Sequence, residues 1–145
     1  MSNRKEYKSK YSDKNIITLI EETERGMEKK NKDGIHYINI DTEYQRGVVW
    51  TDEKQRAFID SCWIGITPQP LLFNCLKNGI KNCIDGKQRL TSLIRFKNNE
   101  IYLTLDNIKY FYTKVPYEFF GDESYAVLDE EEKYARFESR NIHII

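Results

Sequence analysis

Between Cys83 and Phe96 the sequence reads CIDGKQRLTSLIRF, which puts Asp85, Gly86, Lys87, Gln88 and Arg89 on the front of an amphipathic helix. Cations in a first helical turn are unfavourable by about 0.3–1 kcal/mol each, because unpaired N–H groups and the helix dipole already make that end positive. Lys87 and Arg89 therefore want an anion. In one reading Asp85 supplies it, capping the helix and pairing with Arg89. In the other, Gly86 lets a phosphate approach the backbone, first-turn N–H groups cradle it, and Arg89 grips it in a bidentate way. The turn follows a strand, KNCID, and phosphates commonly bind at the carboxyl ends of sheet strands. Neither GxxxxGK[ST] nor GxGxxG is present, so this is not a P-loop or a dinucleotide fingerprint. A second amide and guanidinium pair, Gln45 and Arg46, lies upstream in YQRGVVW, where the alternative is an exposed Arg with Trp50 in the core.

The elements that must position these groups follow from patterning. Residues 1–14 are polar and mildly basic and read as a flexible arm, with the rest, 15–145, as one domain. Ser12 or Asp13 is expected to cap a helix that buries Ile16, Ile17, Leu19, Ile20 and Met27 and turns Glu21, Glu22 and Glu24 to water. IHYINI reads as a mostly buried strand leading into DTEYQRGVVW. Thr51, followed by Asp52 and Glu53, signals a helix burying Ala57, Phe58, Ile59, Cys62 and Trp63 and ending near Gly65.

Asn78-Gly79 between two apolar runs predicts a two-residue hairpin with Cys75 opposite Asn82 and Asn74 opposite Cys83. The helix that follows, from about Lys87 to Lys97, buries Leu90, Leu93 and Ile94 and leaves Gln88, Arg89, Ser92 and Arg95 outside. A second hairpin turns at Asp106-Asn107, an aromatic loop YEFFGDESY follows, and a short helix from about Asp129 to Arg140 precedes the run IHII.

Composition bounds the function. The 145 residues, 39% hydrophobic and 32% charged, suit a soluble globular domain, and 23 basic against 23 acidic side chains give no bulk charge for non-specific nucleic-acid binding. No apolar run approaches the roughly 20 residues of a membrane helix and the N-terminus lacks a signal-peptide core, so the expectation is an intracellular protein, cytoplasmic or nuclear. Three cysteines in apolar surroundings, Cys62, Cys75 and Cys83, suit buried thiols in a reducing compartment, and two histidines with no CxxC argue against a Cys/His metal site. Ser92 and His36 lack a triad partner and read as structural, as does Cys83.

Taken together, YQRGVVW, FIDSCWIGITPQPLLF, the hairpin and CIDGKQRLTSLIRF resemble the N-terminal domain of GmrSD-type restriction endonucleases, a relative of the ParB and sulfiredoxin superfamily, from about Ile16 onward. The resemblance implies an α+β ParB-like fold, a small mixed sheet with a hairpin and flanking helices, and a motif that handles nucleoside triphosphates. Asp85, Gly86, Gln88 and Arg89 match that motif, with Lys87 in place of its usual first Gln, and Gln45, Arg46 and Trp50 match the upstream element.

By that resemblance Arg89 and Arg46 hold phosphates, with Gly86 and Lys87 beside them, and Gln45 and Gln88 position phosphate, base or water. Asp85 orients Arg89 or a Mg²⁺ ion, Asp85 and Gln88 are the catalytic candidates, and Trp50 and Thr91 give support. The helical region and HNH-type nuclease site found in such enzymes are not expected in this chain, so DNA cleavage would fall to a separate nuclease or helical partner subunit. The resulting expectation is a nucleoside-triphosphate-binding module with weak Mg²⁺-dependent NTPase activity, related to restriction and defence enzymes. The alternative is a non-catalytic nucleic-acid-binding or protein-interaction domain, a truncated remnant, with Tyr110, Phe111, Tyr112, Tyr117, Phe119 and Phe120 available to stack bases. The Lys-, Asn-, Ile- and Tyr-rich wording points to an AT-rich genome, such as that of a large DNA virus or some bacteria.

Overall fold

A computed structural model describes residues 12–28, 37–41, 49–66, 68–121 and 124–145. The first described residues form a strand, β1 (Ser12–Asn15), instead of the end of a flexible arm, because they pair antiparallel with β8 (Asn141–Ile144). The remainder of the expected arm, with His36, Gln45 and Arg46, lies outside the described residues. Helix α1 (Ile16–Met27) is capped by Asn15, whose Oδ1 accepts from the Thr18 N–H at 3.0 Å, and not by the expected Ser12 or Asp13, because the strand runs on to Asn15 and the helix starts only after it. Ile16, Leu19 and Ile20 are buried as the apolar spacing requires, but Met27 is 53% exposed. Glu22, expected in water, is only 4% exposed. Its carboxylate accepts from Lys14 on β1 at 2.6 Å and from Lys81 at 2.8 Å, so burial of this charge is matched by two cations.

Strand β2 (Tyr37–Asn39) pairs parallel with β4 (Ile80–Asp85), and β3 (Leu72–Cys75) pairs antiparallel with β4 on its other side. The hairpin forms in a register one residue off the expected one: Cys75 faces Lys81, Asn74 faces Asn82 and Phe73 faces Cys83. Only Gly79 has positive φ, at 88°, whereas a two-residue Asn-Gly turn needs it at Asn78 too. The Ile80 carbonyl accepts from the Leu76 N–H, which leaves three residues in the loop. The slip turns Phe73 and Cys83 to the core and leaves Cys75 exposed, contrary to its expected burial.

The carboxyl-terminal strand also reaches β3. Leu71 N–H donates to His143 O at 2.9 Å, Ile145 N–H to Leu71 O at 2.8 Å and Phe73 N–H to Ile145 O at 3.1 Å. These bonds continue the hydrogen-bonded layer as β1-β8-β3-β4-β2.

Helix α2 (Asp52–Ile64) starts at the Thr51 cap and ends at Gly65, as the cap signals indicate. Its buried stripe is Gln55, Phe58, Ile59, Cys62 and Trp63. Ala57 falls on the opposite side of that stripe and is exposed, so it is not a core residue. Helix α3 (Lys87–Lys97) follows β4 after one residue and packs against α1 and α2 through Leu90, Leu93, Ile94 and Phe96. The Phe96 ring meets the edges of Phe137 and Tyr112 at centroid distances of 5.1 and 5.5 Å.

Beyond α3, β5 (Leu103–Leu105) and β6 (Ile108–Phe111) make the second expected hairpin, with positive φ at both Asp106 and Asn107. The aromatic stretch after it is partly ordered as strand: β7 (Tyr125–Val127) joins β6 in parallel. Asp129 caps α4 (Glu130–Lys133), which runs on into a π-helical turn, Tyr134–Glu138. The fold is α+β. Among the described residues no helix is long and apolar enough to cross a membrane.

Candidate functional site

The front of α3 is built by a sharp departure from the end of β4. Gly86 adopts φ 130°, a conformation that side-chain-bearing residues rarely take, and an added Cβ would overlap the Leu71 side chain. Asp85 does not cap the helix: α3 has no side-chain cap bond, and the Asp85 carboxylate stays 68% exposed, 3.6 Å from Arg89.

Arg89, expected outside, is instead 9% exposed. Its Nη1 donates to the Gln69 carbonyl and its Nη2 to the Pro70 carbonyl at 3.4 Å. Those carbonyls belong to the TPQP turn, whose backbone acceptors would otherwise face the helix front without donors. Ser92, also expected outside, is fully buried and donates to the Gln88 carbonyl at 2.7 Å.

Lys87, Gln88, Thr91 and Trp50 face a cleft of about 440 Å³ between α3 and α2. Helix α3 contributes Lys87, Gln88, Thr91 and Arg95, which recur on one face at turn spacing. Helix α2 contributes Asp52 and Gln55, and Val49 with Trp50 closes one side. The Trp50 N–H donates to Gln88 Oε1 at 3.1 Å, tying the upstream element to the helix motif across 38 residues. The Trp50 ring is half-buried, 6.1 Å from Phe58, with Lys54 Nζ 5.6 Å above it. Lys87 Nζ is 3.8 Å from Asp41 on a largely exposed carboxylate, so its charge remains open to the cleft.

At the far end Arg95 Nη1 donates to Asp52 at 2.7 Å and to Gln55 Oε1, and its Nε lies 3.6 Å from Glu100. The Arg95 hydrogen bond holds the Asp52 carboxyl below its usual range, and Asp52 in turn raises Arg95. The structure therefore gathers Trp50, Lys87, Gln88 and Thr91 in one cleft and turns Arg89 away from it, into the wall behind. Asp52, Gln55 and Arg95 went unnoticed as site residues. The signal for Arg95 was its spacing of two four-residue steps from Lys87 through Thr91; for Gln55 nothing local distinguished it from a solvated helix position.

Thiol chemistry is disfavoured by the geometry. Burial pushes the Cys83 thiol up to about 12 and the Cys62 thiol likewise, so neither is a ready thiolate. Among the described residues no group of three or more His, Cys, Asp or Glu side chains is placed to hold a metal ion.

No curated protein and no solved structure matches the chain. The family model of the GmrSD restriction endonuclease N-terminal domain matches residues 26–143, a span that takes in both motif elements, the hairpin and every described residue of the cleft. With the motif, the cleft and that match in agreement, this restriction-related chain belongs to the GmrSD N-terminal domain family.

Proposed function

We propose that the chain is a nucleoside-triphosphate-binding module, with the phosphates at Lys87 and the first-turn N–H groups of α3 and the rest of the nucleotide in the cleft. The observation that supports it most is the cleft itself: a cation-bearing, half-open cavity of about 440 Å³ at an uncapped helix front, within the ~300–1,000 Å³ of small-molecule sites. Gln88, held by the Trp50 N–H, orients phosphate or water, and Trp50 offers an aromatic wall. Arg89 acts as a positioning residue that fixes the helix front against the TPQP turn. Gln45 and Arg46, outside the described residues, are candidates for phosphate contact by the family resemblance alone.

The exposed Asp85 carboxylate fits a Mg²⁺ ion that takes its other ligands from phosphate and water, as Mg²⁺ usually does, and such an ion would arrive with the nucleotide. When bound it would offset phosphate charge during slow triphosphate hydrolysis. Asp85 and Gln88 are the residues through which this chain would act on that step.

A second reading, a nucleic-acid-binding surface, is favoured by one observation: the Tyr117 and Phe120 rings lie 5.5 Å apart with 84% and 66% of their surfaces exposed. Salt-sensitive binding of single-stranded DNA without nucleotide, lost in Tyr117→Ala, is its signature.

The test of the main reading is thermal stabilisation of wild type and Lys87→Ala by each of the four ribonucleoside triphosphates, with and without Mg²⁺. Occupancy at a hundredfold excess over Kd adds about 2.7 kcal/mol, which for a domain of this size raises Tm by roughly 5–10 °C. Lys87→Ala is expected to fold normally and lose the shift. A folded wild type that no triphosphate stabilises would overturn the proposal.

A further inference from the structure

The far wall of the cleft carries a donor for which no described residue supplies an acceptor. Gln55 is 3% exposed and lines the cleft, and its Oε1 accepts from Arg95. A guanidinium only donates, so the oxygen must face Arg95 and the amide nitrogen must point the other way. Among the described residues that nitrogen has no acceptor, yet no sealed, unsatisfied side-chain atom occurs there either, so the nitrogen keeps part of the small surface that Gln55 retains, and Gln55 lines the cleft.

Gln88 repeats the arrangement near the front: the Trp50 N–H fixes its oxygen, leaving its amide nitrogen to donate. With Lys87, Arg95 and the Thr91 hydroxyl, the α3 face and Gln55 present donors along the length of the cleft, and among the described lining residues the one carboxylate, Asp52, is already tied to Arg95.

Resting on the triphosphate reading, we infer that Gln55 is a specificity-determining residue that binds the nucleoside end of the ligand through an acceptor atom. From Lys87 to Arg95 is eight residues of helix, about 12 Å at 1.5 Å per residue. A ligand filling that length carries phosphate at one end and a second acceptor-bearing group at the other. The occupant is thus a nucleoside polyphosphate and not inorganic phosphate alone, and the buried amide of Gln55 penalises any ligand that leaves it unpaired.

The experiment compares one nucleoside triphosphate, the best binder of the four, with inorganic tripolyphosphate on wild type, Gln55→Glu and Gln55→Met. Gln55→Glu keeps an acceptor for Arg95 and replaces the donor with an acceptor; Gln55→Met keeps the side-chain length without hydrogen bonds. Wild type is expected to bind the nucleotide at least tenfold more tightly than tripolyphosphate. Both variants are expected to lose about tenfold or more in nucleotide affinity while binding tripolyphosphate within about twofold of wild type.

Nucleotide affinity unchanged in the variants but lost in Lys87→Ala would overturn the role of Gln55 and leave the triphosphate site standing. Equal losses for both ligands would also overturn it, by making Gln55 a phosphate or structural contact. Because the comparison of the two ligands on wild type needs no variant, equal affinities there overturn the inference even if both variants fail to fold. A wild type that binds neither ligand overturns this inference together with the site.

Discussion

Replacing Arg89 with Ala separates a structural from a ligand-binding role for the most conspicuous cation of the motif. The guanidinium is 9% exposed and donates to two backbone carbonyls, one at Gln69 and one at Pro70. A hydrogen bond from a charged donor contributes about 1.5–3 kcal/mol. The Pro70 contact, at 3.4 Å, is beyond the usual range and counts for about half of one. The ion pair with Asp85, at 3.6 Å on a carboxylate 68% exposed, adds close to nothing after solvent screening.

Removing the side chain leaves the two acceptors at Gln69 and Pro70 without their donor and strips a buried side chain from behind the helix front, for a loss of about 3 kcal/mol. In a domain of this length that lowers Tm by roughly 10 °C. The assay is unfolding followed by circular dichroism with no nucleotide present, with Arg89→Lys alongside; a single ammonium replaces one of the two bonds and should recover about half the loss. An Arg89→Ala protein that unfolds within about 2 °C of wild type would refute the carbonyl clamp and return Arg89 to the ligand.

Glu22 makes acid stability testable. Burial disfavours its charged form, but hydrogen bonds from Lys14 and Lys81 outweigh that and hold the carboxyl below its ordinary range. A folded-state pKa below the unfolded one gives stability that is present above about pH 4.3 and is lost as pH falls through the folded value. Glu22→Gln is expected to cost about 3 kcal/mol at pH 7, the low end for breaking a buried ion pair. Its Tm should converge on that of wild type as pH falls below about 4.3 and through the depressed folded value, in a thermal scan series; parallel curves would contradict the linkage. Thiol labelling of the native protein should modify Cys75 alone, because Cys62 and Cys83 are buried and burial pushes both thiols up to about 12, with all three reacting only after unfolding.

Much of the site's scaffold was legible because its signals are local. Thr51 with two following acids and Gly65 mark the ends of α2, and the apolar spacing of Leu90, Leu93 and Ile94 marks the buried face of α3, expected from about Lys87 to Lys97 and found there. Errors gathered where a distant partner decides. Glu22 looks like any solvated helix acid until Lys14 and Lys81 arrive from β1 and β4, and Arg89 looks exposed until the TPQP carbonyls turn toward it. The hairpin was visible in Asn78-Gly79, but the register was set by one positive φ instead of two, a difference the dipeptide does not encode. Trp50 and Gln88 could be named individually as site residues; that they bond each other through a backbone N–H is a property of the folded cleft.

The strand pairing that ties residues near 13 to residues near 143 has a consequence for how the chain reaches this state. Asp13 and His143, 130 positions apart, meet across β1 and β8, and β8 in turn supplies hydrogen bonds to Leu71 and Phe73 at the start of β3. During synthesis the edge of β3 therefore stays open until β8 emerges, and closing it bears the entropy of a loop about half the length of the chain. Because Arg89 anchors α3 to the turn that leads into β3, the helix front is the part of the cleft whose rigidity waits longest on translation. A nascent chain would thus carry an unpaired, apolar strand edge behind the wall of the proposed ligand cleft, which makes the interval before β8 docks the one in which this protein is most exposed to mispairing.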